Sequence, residues 1–191
     1  MTSDTSKKRP ACIASGLPDL GVYVACLASY NAGTLHGAWV DLDGVTDADE
    51  LQEAIDWVLA TSPEPGAEEY AIHDSCGLPS ILRSTEWPDL SDLASFAETA
   101  ETVQDAEAYR LACDYAGQVI DEDKFTATWC GVWDSEADFA LERCYENGHI
   151  TDGNPLASYV DWERVWHGEF ECDGWHSDPT ECGRVHVWRP V

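Results

Sequence analysis

At 191 residues the chain carries 37 acidic against 10 basic side chains, a formal net charge of −27, and nine Trp among 44 % hydrophobic residues. So much apolar and aromatic side chain excludes a solvated coil, and so one-sided a charge excludes a surface that grips phosphate. No apolar run reaches the roughly 18 residues of a membrane span, and no apolar stretch follows the polar start as a secretory signal would require, so the expected compartment is the cytoplasm and the expected state of the eight Cys is reduced.

The charge is unevenly placed. Residues 10–82 contain twelve Asp and Glu and no Lys or Arg. Three of the basic residues, Lys7, Lys8 and Arg9, sit in the first nine positions, so the body is more acidic than the whole. Unbalanced charge repels itself and opposes compaction, which marks the field as something the protein presents to a partner. Halophilic adaptation yields a similar composition and is the bland alternative.

In chain order, residues 1–20 read as a disordered tail. Residues 22–27 form an apolar run bounded by Gly21 and by the 29–33 loop, as a buried strand does. A second strand is expected at 37–41, ended by Asp43 and Gly44. A helix then opens at Thr46 or Asp47, each with an acid three residues on, as in a capping box. Leu51, Ile55, Val58 and Leu59 fall on one stripe of it, with Asp49, Glu50, Glu53 and Asp56 largely on the wet side. The turn at 62–66 is rich in Pro and leads to a third strand at 70–74. Segments 89–98 and 105–116 are helix-like, the latter stopped by Gly117. A strand is expected around 125–132, a helix from Ser135 to about Asn147, another helix opening at Asn154 and Pro155, and a closing strand at 184–188. The fold class that follows is α+β, an elongated chain of three small modules with an acidic surface: 21–78 with a sheet and a helix, 79–120 helical, and 121–191 mixed.

Motifs for chemistry are sparse. G-x-S-x-G, a phosphate-binding Gly loop and H-E-x-x-H are all missing. Carboxylates are so numerous that pairing them carries no information. The one metal-like spacing is Cys172, His176, Cys182 and His186, which could meet tetrahedral zinc but lacks a C-x2-C half; the alternative is buried thiols and partly exposed histidines around a hairpin. The acidic field is the remaining candidate. B-DNA carries one negative charge per about 1.7 Å, so a net charge of this size matches on the order of 50 Å of duplex. A compact globule of this length is nearer 40 Å across by the usual scaling of about 16 Å in radius of gyration, which favours spreading the modules out.

Three blocks resemble the ArdA family of antirestriction proteins: residues 22–41 (VYVACLASYNAGTLHGAWVD), 62–74 (SPEPGAEEYAIHD) and 129–140 (WCGVWDSEADFA). The third is similar to the family's antirestriction motif, aromatic-x-Gly-x-aromatic-x-Ser-x-x-Asp-aromatic-Ala. The resemblance covers about residues 21–170. It implies a non-enzymatic homodimer without cofactor or metal that mimics B-form DNA and occupies the DNA-binding groove of type I restriction–modification enzymes, without binding nucleic acid or membrane itself. On that reading Asp47, Asp49, Glu50, Glu53, Asp56, Glu64, Glu68, Glu69, Glu98 and Glu101 are the phosphate-like carboxylates. Trp129, Gly131, Trp133, Asp134, Ser135, Asp138, Phe139 and Ala140 are the motif residues placed at or near the dimer contact. The alternatives are a small zinc-binding or hydrolytic module on the C-terminal Cys/His cluster, or an acidic binder of another basic DNA-binding protein.

Overall fold

The computed structural model describes residues 8–190. The chain divides into two compact units, the first ending at Glu122 and the second beginning at Asp123. Among the described residues there are eight α-helices and two three-stranded sheets, an α+β fold, and no helix is long and apolar enough to cross a membrane.

In the first unit, β1 (Gly21–Cys26) is the centre of an antiparallel sheet, flanked by β2 (Gly37–Asp41) and β3 (Tyr70–Cys76). A central strand has both neighbours and both faces covered, which is why its sequence is a continuous apolar run rather than an alternation. The short helix α1 (Leu27–Asn31) turns the chain from β1 toward β2. Helix α2 (Ala48–Ala60) lies against β1 and β2 and buries Leu51, Ala54, Ile55 and Val58, while Leu59 is only half-buried. Its start is set by Asp47, whose side chain accepts from the Glu50 N–H at 2.9 Å; Glu50 reaches back to the Thr46 N–H and hydroxyl at 3.3 and 3.2 Å. Between β3 and the next long helix comes α3 (Ser80–Arg83). Helix α4 (Leu90–Thr102) packs on α2, and α5 (Ala106–Ala116) packs on α4, with Phe96 stacked on Tyr109 at 5.1 Å. Gly117 ends α5 in the left-handed region at φ 65°, as a helix stop of this kind requires.

Residues 12–14, which fall within the expected disordered tail, pair with β2. Ile13 is buried and bridges Val40, the Ala14 N–H donates to the Trp39 carbonyl at 2.9 Å, and the Asp41 N–H donates to the Cys12 carbonyl at 2.7 Å. The cause is the edge of β2, whose outward backbone groups need partners and find them in this segment. Lys7 and the residues before it lie outside the described residues.

In the second unit, α6 (Glu122–Thr128) leads into β4 (Trp129–Trp133). This corrects the strand expected from Phe125. Phe and Thr favour strands only where a pleated surface receives them. Here Phe125 is buried and stacks on Trp129 at 5.4 Å, and the Thr128 hydroxyl donates to the Lys124 carbonyl at 2.9 Å, which holds the segment helical. Helix α7 (Glu136–Glu146) follows, then a 3-10 turn (Ala157–Tyr159) where a helix was expected at Asn154. The Asn154 side chain takes the Leu156 N–H at 3.0 Å, a local turn that competes with helix. The helix α8 (Trp162–Val165) begins only after Asp161, whose side chain caps it, and continues as a π-helical turn (Trp166–Phe170) and a 3-10 turn (Glu171–Asp173). Strands β5 (His176–Pro179) and β6 (Val185–Trp188) complete an antiparallel sheet in the order β4-β6-β5. Val185 and Val187 of the central strand meet Phe139, Ala140 and Trp166 in the core of this unit.

The cap of α7 is a direct stability prediction. Ser135 accepts from the Asp138 N–H at 3.1 Å and its hydroxyl donates to the Asp138 carboxylate at 2.5 Å. Ser135→Ala should therefore cost about 1 kcal/mol, read as a lower urea midpoint with an unchanged slope.

Candidate functional site

The ten carboxylates singled out in the sequence fall on three elements of the first unit. On α2, Asp49 and Glu53 are one turn apart and exposed, and neither makes a hydrogen bond or ion pair among the described residues. Their neighbours on the helix have structural work: Asp47 and Glu50 form the cap, and Asp56 accepts from the Gln52 amide at 2.9 Å. In the 62–69 turn, Glu68 and Glu69 are exposed and Glu64 is half-buried, with the Glu64 N–H held by the Ser62 hydroxyl at 3.2 Å. The Glu69 carbonyl accepts from the Leu27 N–H at 3.0 Å, which fixes the end of the turn at the start of β3. On α4, Glu98 is exposed without a partner among the described residues, whereas Glu101 accepts from the Gly44 N–H and so ties α4 to the loop after β2.

No Lys or Arg occurs from residue 10 to residue 82, so that segment itself supplies no cation to the field. Elsewhere Arg110 pairs with Asp114 at 3.3 Å and Arg143 with Glu146 at 2.8 Å, each on its own helix. Carboxylates gather also at a cavity of about 330 Å³ lined by Asp19, Asp41, Asp43 and Glu101. The Cys12 thiol reports the same field: burial pushes its pKa up, and Glu50, Glu53 and Asp41 push it further, since a thiolate there would face three negative charges. Such a surface offers fixed negative charge to a cationic partner.

The motif residues divide by burial. Phe139 and Ala140 are fully buried inside the second unit, and Ser135 is the α7 cap. Phe139 is the hub, with ring centroids at 5.3 Å from Trp133, 5.8 Å from Trp166, 5.5 Å from Phe170 and 5.2 Å from Trp175, and the Arg143 guanidinium 5.3 Å from its own. The Trp133 indole donates to the Cys130 carbonyl at 2.9 Å. Gly131 has φ 91°, a left-handed conformation that suits the bulge between Trp129 and Val132 and that a side chain would strain. Asp134 and Asp138 are exposed; Trp129, Gly131 and Trp133 are half-buried.

The C-terminal Cys/His spacing resolves differently from its expected alternative. Cys172 and Cys182 are exposed, while His186 is buried in β6 and His176 lies within 2.8 Å of the Asp178 carboxylate. All eight Cys are free thiols, and no group of three or more His, Cys, Asp or Glu among the described residues is placed to hold a metal ion.

Sequence reasoning missed the aromatic wall of the first unit. Tyr23 and Trp39 are cross-strand partners of β1 and β2, with rings 5.6 Å apart, and Trp57 faces the same cleft from α2. Only the strand register brings Tyr23 to Trp39; the spacing of Glu53 and Trp57, four residues apart on a helix, was the readable half.

A family model described as ArdA, antirestriction protein, matches residues 22–174. No curated protein matches the chain. With the match running from the first strand of one unit to the Trp-rich end of the other, the chain belongs to the ArdA family of antirestriction proteins.

Proposed function

We propose that this protein is a non-catalytic mimic of B-form DNA that occupies the DNA-binding groove of type I restriction–modification enzymes and thereby shields incoming DNA. The observation that carries the reading is the set of exposed carboxylates without cationic partners, Asp49, Glu53, Glu68, Glu69 and Glu98, within a segment and helix that supply almost no compensating charge. Lysines and arginines that neutralise phosphates on DNA would meet carboxylates here, through many contacts of modest strength. The acting species is a homodimer whose contact includes the surface part of the motif, Trp129, Trp133, Asp134 and Asp138, since half-buried aromatic side chains suit an interface core.

The test is titration of the purified protein into a type I enzyme holding labelled DNA, at low and high salt. Stoichiometric displacement that weakens steeply as salt rises is expected, with a shallower salt slope than DNA's own because carboxylates carry no condensed counterions. A folded protein that leaves the DNA in place at low salt would overturn the reading and direct the acidic surface to a different basic DNA-binding protein.

A further inference from the structure

A cavity of about 420 Å³ opens within the second unit, between the end of α7 and the π-helical and 3-10 turns that follow α8. That volume falls in the range of roughly 300–1,000 Å³ that small-molecule sites occupy. A π-helical turn is an uncommon conformation often found at functional positions. Here it stacks Phe170 on Trp166 at 5.9 Å and carries Glu169 on the cavity wall.

The walls bear polar groups of both signs. The end of α7 supplies Arg143 and Asn147, the loop after it His149, and the two turns Glu169 and Asp173. The side chains of Asn147, His149, Glu169 and Asp173 make no hydrogen bond or ion pair among the described residues. Arg143 is held in place: its guanidinium lies 5.3 Å from the ring centroid of Phe139 and 5.8 Å from that of Trp175, and its Nη1 donates to Glu146 at 2.8 Å. The other donors of that planar fork suit a carboxylate, which accepts two hydrogen bonds side by side. Glu169 and Asp173 accept only, as an ammonium requires, and His149 can donate through one ring nitrogen and accept through the other. Phe170 and Trp175 add apolar ring surface to the same cavity.

A lone cation entering here meets the charge of Arg143, and a lone anion meets two carboxylates. A small molecule carrying both charges satisfies both walls. We infer that this cavity binds a free α-amino acid with an aromatic side chain, its carboxylate on Arg143 and Asn147, its ammonium on Glu169 and Asp173, and its ring against Phe170 and Trp175. The inference stands apart from DNA mimicry, because none of these residues belongs to the carboxylates or the dimer contact invoked there.

The experiment follows the full chain by nuclear magnetic resonance as L-phenylalanine is added. The indole signal of Trp175 should move and saturate, while those of Trp39 and Trp57 in the first unit stay still. No movement of Trp175 up to about 10 mM ligand overturns the inference. N-acetylphenylalanine lacks the ammonium, phenylalanine amide lacks the carboxylate and glycine lacks the ring; each should bind at least about tenfold more weakly. Either derivative binding as tightly as the amino acid overturns the two-charge assignment, and glycine binding as tightly overturns the aromatic one. In a second arm, Glu169→Gln combined with Asp173→Asn should weaken L-phenylalanine about tenfold. Both side chains are exposed and unpaired among the described residues, so the fold should survive the change. Unchanged affinity would overturn the placement of the ammonium. Should circular dichroism show the double variant unfolded, the ligand series on the unaltered protein carries the test.

Discussion

Replacing Phe139 with Ala should remove about 3–5 kcal/mol of stability, a large share of the roughly 5–15 kcal/mol that holds a native domain together. Phe139 is fully buried, and the rings of Trp133, Trp166, Phe170 and Trp175 converge on it within 6 Å, so its loss opens a cavity that rigid aromatic neighbours cannot collapse into. The pairs with Trp133, Trp166 and Phe170 also forfeit their edge-to-face attraction, about 0.5–1.5 kcal/mol apiece. Arg143, which lies over the same ring and whose Nε has no hydrogen-bond partner, loses the face that accommodates it. Urea denaturation followed by tryptophan fluorescence should show the early loss of the second unit's signal. An unfolding midpoint equal to wild type would mean that Phe139 is not the keystone of this core. Phe139→Leu, which keeps most of the volume, should cost clearly less than Phe139→Ala.

Reversing a whole carboxylate group should abolish inhibition where single changes leave it almost untouched. Asp49, Glu53, Glu68 and Glu69 are exposed and without partners among the described residues, so changing all four to Lys should leave the fold in place. Each exposed charge contact with a basic groove is worth about 0.2–1 kcal/mol. Four lost attractions, replaced by four repulsions, then amount to on the order of a hundredfold or more in affinity. Glu53→Gln alone should change affinity by no more than about fivefold by the same reckoning. The comparison is made by DNA displacement from a type I enzyme at fixed low salt. A single carboxylate whose removal abolished inhibition, with the fold intact, would mean a specific contact in place of a distributed field.

Inside the first unit the strands and α2 were legible because each is specified by short-range physics. The apolar run of β1, the Gly and Asp punctuation of β2, and the cap at Asp47 with its stripe of Leu51, Ile55 and Val58 need no distant partner to be read. Ser135 and Gly117 are read the same way, from the chemistry of helix ends. Phe125 to Thr128 misled for the opposite reason: aromatic and β-branched residues form strands when a sheet takes them, and here buried stacking on Trp129 takes them as a helix. The attachment of residues 12–14 to β2 was hidden because it satisfies the edge of a strand some 27 positions later in the chain, a partner that local pattern does not reveal.

The division holds for the site as well. Charge is additive and survives any fold, so the acidic field and its lack of local cations follow from the residues themselves, as do the three blocks that mark the family. The cap already claims Asp47 and Glu50 in the sequence, but only a tertiary contact shows that Glu101 holds the loop at Gly44, while the side chains of Asp49, Glu53, Glu68, Glu69 and Glu98 remain available among the described residues. The same holds for Phe139, a motif residue that packing makes the centre of a core, and for Tyr23, Trp39 and Trp57, which strand register and helix placement gather into one cleft. Composition and local periodicity are sums over neighbours in the chain, whereas burial, hydrogen bonding and ring contacts depend on neighbours in space.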